Sequence, residues 1–98
     1  MHFVYLLFNT QTGKFYIGET NNIKRRFIEH CSGKNISTKN QHDFWKLVYV
    51  EIYKSKKDAL IREKKLKSHG SGLVELRKRL KFSLEELNPK LGLGKGEK

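Results

Sequence analysis

The hydrophobic pattern divides the chain into short elements. Phe3 to Phe8 is an unbroken apolar, aromatic-rich run, as in a strand buried on both faces. Asn9-Thr10-Gln11-Thr12-Gly13 supplies turn chemistry, and Lys14 to Gly18 returns as a second strand, so the segment reads as a hairpin. Gly18 closes that strand and leaves room for a close approach of backbone. Asn21 and Asn22 each suit an N-cap, and a helical period follows to about Cys31. Ile23, Phe27 and Cys31 recur every four residues as its buried stripe. Asn22, Arg26 and His30 recur one position earlier, so guanidinium and imidazole project from the side next to that stripe.

Ser32 to Asp43 is polar and aperiodic. Trp45 to Tyr53 reads as a third strand, with rough alternation through Leu47, Val48, Tyr49, Val50 and Ile52. Ser55-Lys56-Lys57-Asp58 has the form of a capping box, with Asp for Glu, and opens a second helix to about Ser68. Gly70 is its expected C′ residue, and Ser71 the cap of a third helix with Leu73, Leu76 and Leu80 on one face. Ser83-Leu84-Glu85-Glu86 repeats the capping pattern for a short further turn, and Gly92 to Lys98 reads as a frayed tail. The order predicts an α/β fold of the α+β kind. It has a three-stranded, mainly antiparallel sheet flanked by helices, ββαβα plus C-terminal helices. The main unit is expected over residues 1–82, with a helical turn and flexible tail over 83–98.

Charge changes the picture more than size does. The 98 residues carry 21 Lys+Arg against 10 Asp+Glu, a net charge of +11. Charge this lopsided costs self-repulsion unless an anionic partner relieves it, which points to phosphate backbones or anionic membranes. No apolar run approaches the roughly 20 residues of a membrane span, and no leader pattern opens the chain, so a cytoplasmic protein without a membrane partner is expected. Cys31 is the only cysteine, which excludes an intramolecular disulfide and a Cys-rich zinc site.

Few residues could carry chemistry. Ala59, Glu63 and Leu66 lie on one helical stripe, so Glu63 points towards the sheet. It stands among Lys54, Lys56, Lys57, Arg62, Lys64, Lys65 and Lys67, with Asp58 as the only other acid nearby. An acid repels the phosphate those cations attract, unless a divalent metal bridges the two. Position alone leaves two uses open: a metal ligand, or an intrahelical ion pair with Lys67 or Lys64. Arg26 suits a phosphate through its planar, always charged fork. His30 could orient or deprotonate a nucleophile. Taken singly, each is as well explained as an ordinary helix residue. Tyr5 and Tyr16 would be packing aromatics in most strands, and Trp45 and Tyr49 fit core packing better than base stacking. Lys34, Lys39, Lys64 and Lys67 are candidate phosphate contacts, which position a nucleic acid without reading its sequence.

Taken together, Tyr5, Tyr16-Ile17-Gly18, Arg26, His30 and Glu63, in this order and with the tyrosines eleven residues apart, resemble the GIY-YIG nuclease family over roughly residues 2 to 80. The likeness is to its small stand-alone bacterial members. The first motif is degenerate, with Phe3-Val4-Tyr5 where the family has Gly-Ile-Tyr, and Glu19 stands where related nucleases often have a basic or hydroxyl residue. The resemblance implies a metal-dependent nuclease. Glu63 would hold Mg²⁺ or Mn²⁺, Arg26 would clamp the scissile phosphate, Tyr5 or Tyr16 would activate water and His30 would assist. Nucleic acid is the expected partner, DNA before RNA, selected by its structure, for instance in DNA repair. A protein partner and the oligomeric state stay open. A non-catalytic nucleic-acid-binding module of the same fold is the alternative.

Overall fold

The computed structural model describes residues 1–31, 44–68 and 70–87. Strand β1 (His2–Asn9) is the middle of a three-stranded antiparallel sheet in the order β2-β1-β3, between β2 (Phe15–Thr20) and β3 (Trp45–Tyr53). The helices are α1 (Ile23–Cys31), α2 (Lys56–Lys67), α3 (Ser71–Arg79) and α4 (Lys81–Leu87). Two core clusters account for the unbroken apolar run of β1. Val4 and Leu6 face Ala59 and Leu66 of α2 and Leu76 of α3, whereas Tyr5 and Leu7 face Trp45 and the half-buried Ile23 and Phe27 of α1. A strand covered by helices on both faces buries both of its alternating sets. The expected α+β architecture is the one observed.

The hairpin is built around Asn9, which is fully buried. Its Oδ1 accepts the backbone N–H groups of Gln11 and Thr12, both at 2.9 Å, in an Asx turn. Gly13 completes the turn at a φ of 77°, in the left-handed region that favours glycine. β3 departs from simple alternation. Leu6 pairs with Tyr49 but Leu7 with Leu47, so a bulge absorbs Val48. Without it, Trp45 would share a face with Tyr49, Glu51 and Tyr53. The extra residue turns Trp45 to the α1 side instead, where it is buried against Tyr5 and Leu7. This supports the packing role for Trp45 rather than base stacking.

Several helix ends differ from expectation. Asn22, not Asn21, caps α1, its Oδ1 accepting the N–H of Arg25 at 3.0 Å. Ser55 sits at the N-cap of α2 without a side-chain hydrogen bond. Its carbonyl instead accepts the N–H of Ala59 at 3.2 Å, so the backbone alone starts the helix. Gly70 is the extended N-cap of α3 rather than the C′ residue of α2, and Ser71 is the first helical residue. α4 begins at Lys81 and its turn is set by Leu84 donating to the Leu80 carbonyl at 2.9 Å, so Ser83 lies inside the helix instead of capping it. Buried Leu84 anchors this helix by an apolar contact. The expected tail beyond it lies outside the described residues.

β2 runs past Gly18 to Thr20, and Gly18 pairs directly with Tyr5. The close approach at this glycine is made by the Tyr5 phenol. A Cβ added at Gly18 would stand 2.8 Å from Tyr5 Cε1 and closer still to Cζ and the hydroxyl. Because Tyr5 is buried, the ring has little room to retreat. Gly18→Ala should therefore destabilise the fold by about 1–3 kcal/mol, as overpacked cores do. That lowers the melting temperature by about 4–8 °C per kcal/mol in a domain of this size. An unchanged melting temperature would show that the phenol does not need the space.

Candidate active site

Two of the sequence-predicted residues converge on the hydroxyl of a third, Tyr5. Tyr5 reaches across edge strand β2 over Gly18, where Arg26 and His30 of α1 meet it. Arg26 Nε donates to Tyr5 Oη at 3.2 Å, and His30 Nε2 lies 3.2 Å from the same oxygen. With the guanidinium as an obligatory donor, the phenol proton is directed to His30 Nε2 when the imidazole carries its own proton on Nδ1. Tyr16 completes the group: its ring stacks on Tyr5 at 6.3 Å and meets His30 edge-on at 4.6 Å.

α1 delivers this geometry through its period. Arg26 and His30 are one turn apart, and both point at the sheet. The burial is not what the sequence predicts, however. His30 is the fully buried residue of this helix, while Ile23 and Phe27 of the apolar stripe are only half-buried. The polar row runs from exposed Asn22 through half-buried Arg26 to fully buried His30, so the helix sinks its polar side at its C-terminal end. Tyr5 and Tyr16 fill the space on the opposing strands and make that row welcome.

The environment sets the protonation states. Burial, then the Arg26 charge, depresses the His30 imidazole to about 4, against a small opposing influence of Glu29. Burial raises the Tyr5 phenol, although the hydrogen bond and charge of Arg26 pull the other way. Arg26 is more firmly protonated than an ordinary arginine, chiefly through its bond to Tyr5 and despite its partial burial. At neutral pH the cluster is a phenol, a neutral imidazole and a guanidinium.

Glu63 lies on the other face of the sheet, and its charge is the weakest of the influences on the Tyr5 phenol. Its helix α2 packs on the Val4–Leu6 side. A groove of about 600 Å³ runs between β2, with Tyr16 and Ile17, and α2, with Leu66 and Lys67. The intrahelical alternative is also realised: Lys67 Nζ lies 3.0 Å from Glu63 Oε2. Lys67 thus stands beside Glu63 and borders the groove along β2. Lys64 is exposed and lines a separate surface groove with Lys56, Lys57, Leu60 and Ile61. Lys34 and Lys39 lie outside the described residues.

Among the described residues no three His, Cys, Asp or Glu side chains cluster as a metal cage. Glu63 offers one hard carboxylate, partly open to solvent. This fits Mg²⁺ or Mn²⁺ bound by a single carboxylate, with phosphate oxygens and water as the remaining ligands.

Three acids matter here that the sequence reading passed over or left open. Glu29 Oε1 accepts from Arg26 Nη1 at 3.1 Å, so two of that side chain's donors are already engaged, on Glu29 and Tyr5. Its i, i+3 offset from Arg26 was the available signal. Glu19, the family departure, pairs with His2 Nδ1 at 3.2 Å at the rim of the site. A polar cavity of about 320 Å³ opens there, lined by Arg25, Arg26, Glu29 and Lys56 among others. Glu51 accepts from Tyr49, Tyr53 and Arg62 at 2.7–3.2 Å. Tyr49, Glu51 and Tyr53 alternate along one face of β3, a pattern visible in the sequence.

Residues 1–72 match the model of the GIY-YIG catalytic domain. A UPF0213 protein of Limosilactobacillus reuteri is 36% identical, over 79% of this chain and 94% of its own. One from Pseudomonas aeruginosa is 42% identical over 66% of this chain and 62% of its own. The solution NMR structure of a UPF0213 protein of Bacillus halodurans superposes with a TM-score of 0.50 at 29% identity, covering 81% of this chain and 83% of that one. The domain match covers most of the chain, including every residue of the cluster around Tyr5, and so the chain belongs to the GIY-YIG family, a nuclease superfamily.

Proposed function

We propose that this protein is a divalent-metal-dependent nuclease that hydrolyses phosphodiester bonds of DNA, selecting its substrate by structure rather than base sequence. The observation that carries the reading is the shared hydroxyl: Tyr5 Oη is held at 3.2 Å by both a permanent cation, Arg26, and a neutral imidazole, His30. A phenol in a merely structural core needs one partner and no charge. The net charge of +11 supports a nucleic acid as the ligand.

The chain's own groups suffice for a proton relay. Because the Tyr5 pKa is raised, a preformed phenolate is not the base. Tyr5 instead accepts a proton from the attacking water while passing its own to His30 Nε2. The low basicity of His30 keeps it an empty acceptor at neutral pH. An incoming phosphate raises that basicity by offsetting the charge of Arg26. Tyr16 packs against both partners and holds their orientation. Arg26 turns from Glu29 to the phosphate and carries the charge that builds there in the transition state. Lys67, more exposed than Glu63, exchanges its carboxylate partner for a backbone phosphate. Glu63 would hold a Mg²⁺ or Mn²⁺ ion, which would supply Lewis-acid stabilisation of the phosphate and the departing oxygen.

Cleavage and binding separate experimentally. On a panel of single-stranded, duplex, flapped and junction DNAs, wild type should cut only with Mg²⁺ or Mn²⁺. Glu63→Gln should abolish cutting, while DNA retention in EDTA stays equal or tightens slightly. Retention without cutting by wild type on every substrate would establish the non-catalytic module instead. Lys67→Ala should reduce the slope of log affinity against log salt by about one.

The pH profile tests the relay. Neutral His30 is required, and its protonation lies near 4 rather than at the ordinary 6.5. The acid limb of kcat/KM, which reports the free enzyme, should therefore fall only below about pH 5. A limb with an apparent pKa near 6.5 would exclude buried His30 as the acceptor.

A further inference from the structure

Helix α2 carries apolar residues on two sides. Ala59 and Leu66 are buried against the sheet, but Leu60 and Ile61 are 42% and 60% exposed. The buried pair is no larger than the exposed one, so apolar burial does not by itself decide which side faces inward. Something else must fix the rotation of this helix about its axis.

The Glu51 cluster is placed to do so. Arg62 donates to Glu51 from Nε at 2.9 Å to Oε1 and from Nη2 at 3.0 Å to Oε2, a two-pronged clamp between α2 and β3. Tyr53 and Tyr49 hold the same carboxylate through their hydroxyls at 2.7 and 2.8 Å. These partners outweigh the burial of Glu51 and keep its carboxyl below the ordinary range, while Arg62 is more firmly protonated through the same bonds. At about 100° per residue, Arg62 and Glu63 flank the Ala59–Leu66 stripe on opposite sides. Sheet order β2-β1-β3 puts β3 on one side and β2 on the other. An arginine pinned to β3 therefore turns the next residue towards β2, the strand that the Tyr5 ring crosses on the opposite face.

We propose that Glu51 and Arg62 are positioning residues. By clamping α2 to β3 they select the rotation in which Leu66 is buried and Glu63 is presented towards β2. This rests on the reading of Glu63 as the metal ligand. The clamp acts through the helix and touches no substrate.

The test is methyl NMR on the full chain, titrated with Mn²⁺, for wild type, Glu51→Gln and Arg62→Lys. In wild type the Leu66 methyls should show cross-peaks to Val4, Leu6 or Ile17, and Mn²⁺ should broaden signals around Glu63. In Glu51→Gln those cross-peaks should weaken, and contacts from Leu60 or Ile61 to the sheet should appear. The Mn²⁺ needed for half-broadening should rise roughly tenfold, a factor worth about 1.4 kcal/mol. Arg62→Lys keeps the charge but loses the fork, and should fall between the two. It also carries the test if Glu51→Gln does not fold. Unchanged Leu66 contacts with only a lower melting temperature would overturn the clamp. A turned helix with unchanged Mn²⁺ response would overturn its link to the site. If Mn²⁺ leaves Glu63 untouched in wild type although the variants turn the helix, the metal reading of Glu63 falls, and the proposed link to the site falls with it.

Discussion

The fit of the Tyr5 phenol over the bare backbone of Gly18 is the contact on which the site depends. Tyr5 belongs to the central strand, yet its hydroxyl must arrive at the sheet edge to meet anything soluble. Any side chain at position 18 would stand in the way. Once the ring lies across β2, its oxygen comes within reach of Arg26 and His30 together, and Tyr16, two residues before Gly18 on the same face, stacks on it. A glycine in a strand usually weakens it. Here the missing side chain is replaced by the neighbour's aromatic ring.

Edge strand β2 lies between two different chemistries. α1 carries cation and imidazole on one face of the sheet, and α2 carries Glu63 on the other. An edge strand is an aggregation hazard unless it is blunted. Lys14 and Glu19 near its ends provide charge, and the groove along it is bordered by Lys14, Lys67 and Arg77. An edge that repels another strand by positive charge also attracts a polyanion.

The acids follow a consistent pattern. Glu19 pairs with His2, Glu29 with Arg25 and Arg26, Glu51 with Arg62, Glu63 with Lys67 and Glu75 with Lys78. Exposed pairs such as Glu75–Lys78 contribute little to stability. The partly buried ones orient their basic partners, Arg26 at the cluster and Arg62 between helix and strand. A small minority of carboxylates thus organises a large excess of cations.

Periodicity and turn chemistry in the sequence determined the α+β element order, the hairpin at Asn9–Gly13 and the one-turn relation of Arg26 to His30. These are local properties, governed by the 2.0 and 3.6 residue periods and by side chains that bond their own backbone. The ordered tyrosines, arginine, histidine and glutamate also pointed to the family. The deeper burial of His30 than of Ile23 and Phe27 was decided by tertiary packing, because the opposing tyrosines close around the imidazole. So was the turn of Trp45 to the α1 face, since a bulge appears only when two strands are matched against each other. The placement of Glu63 on the face opposite Arg26 and His30 and the grip of Glu51 on Arg62 likewise depend on residues far apart in the chain. Their geometry depends on sheet order and helix rotation, which no local pattern contains.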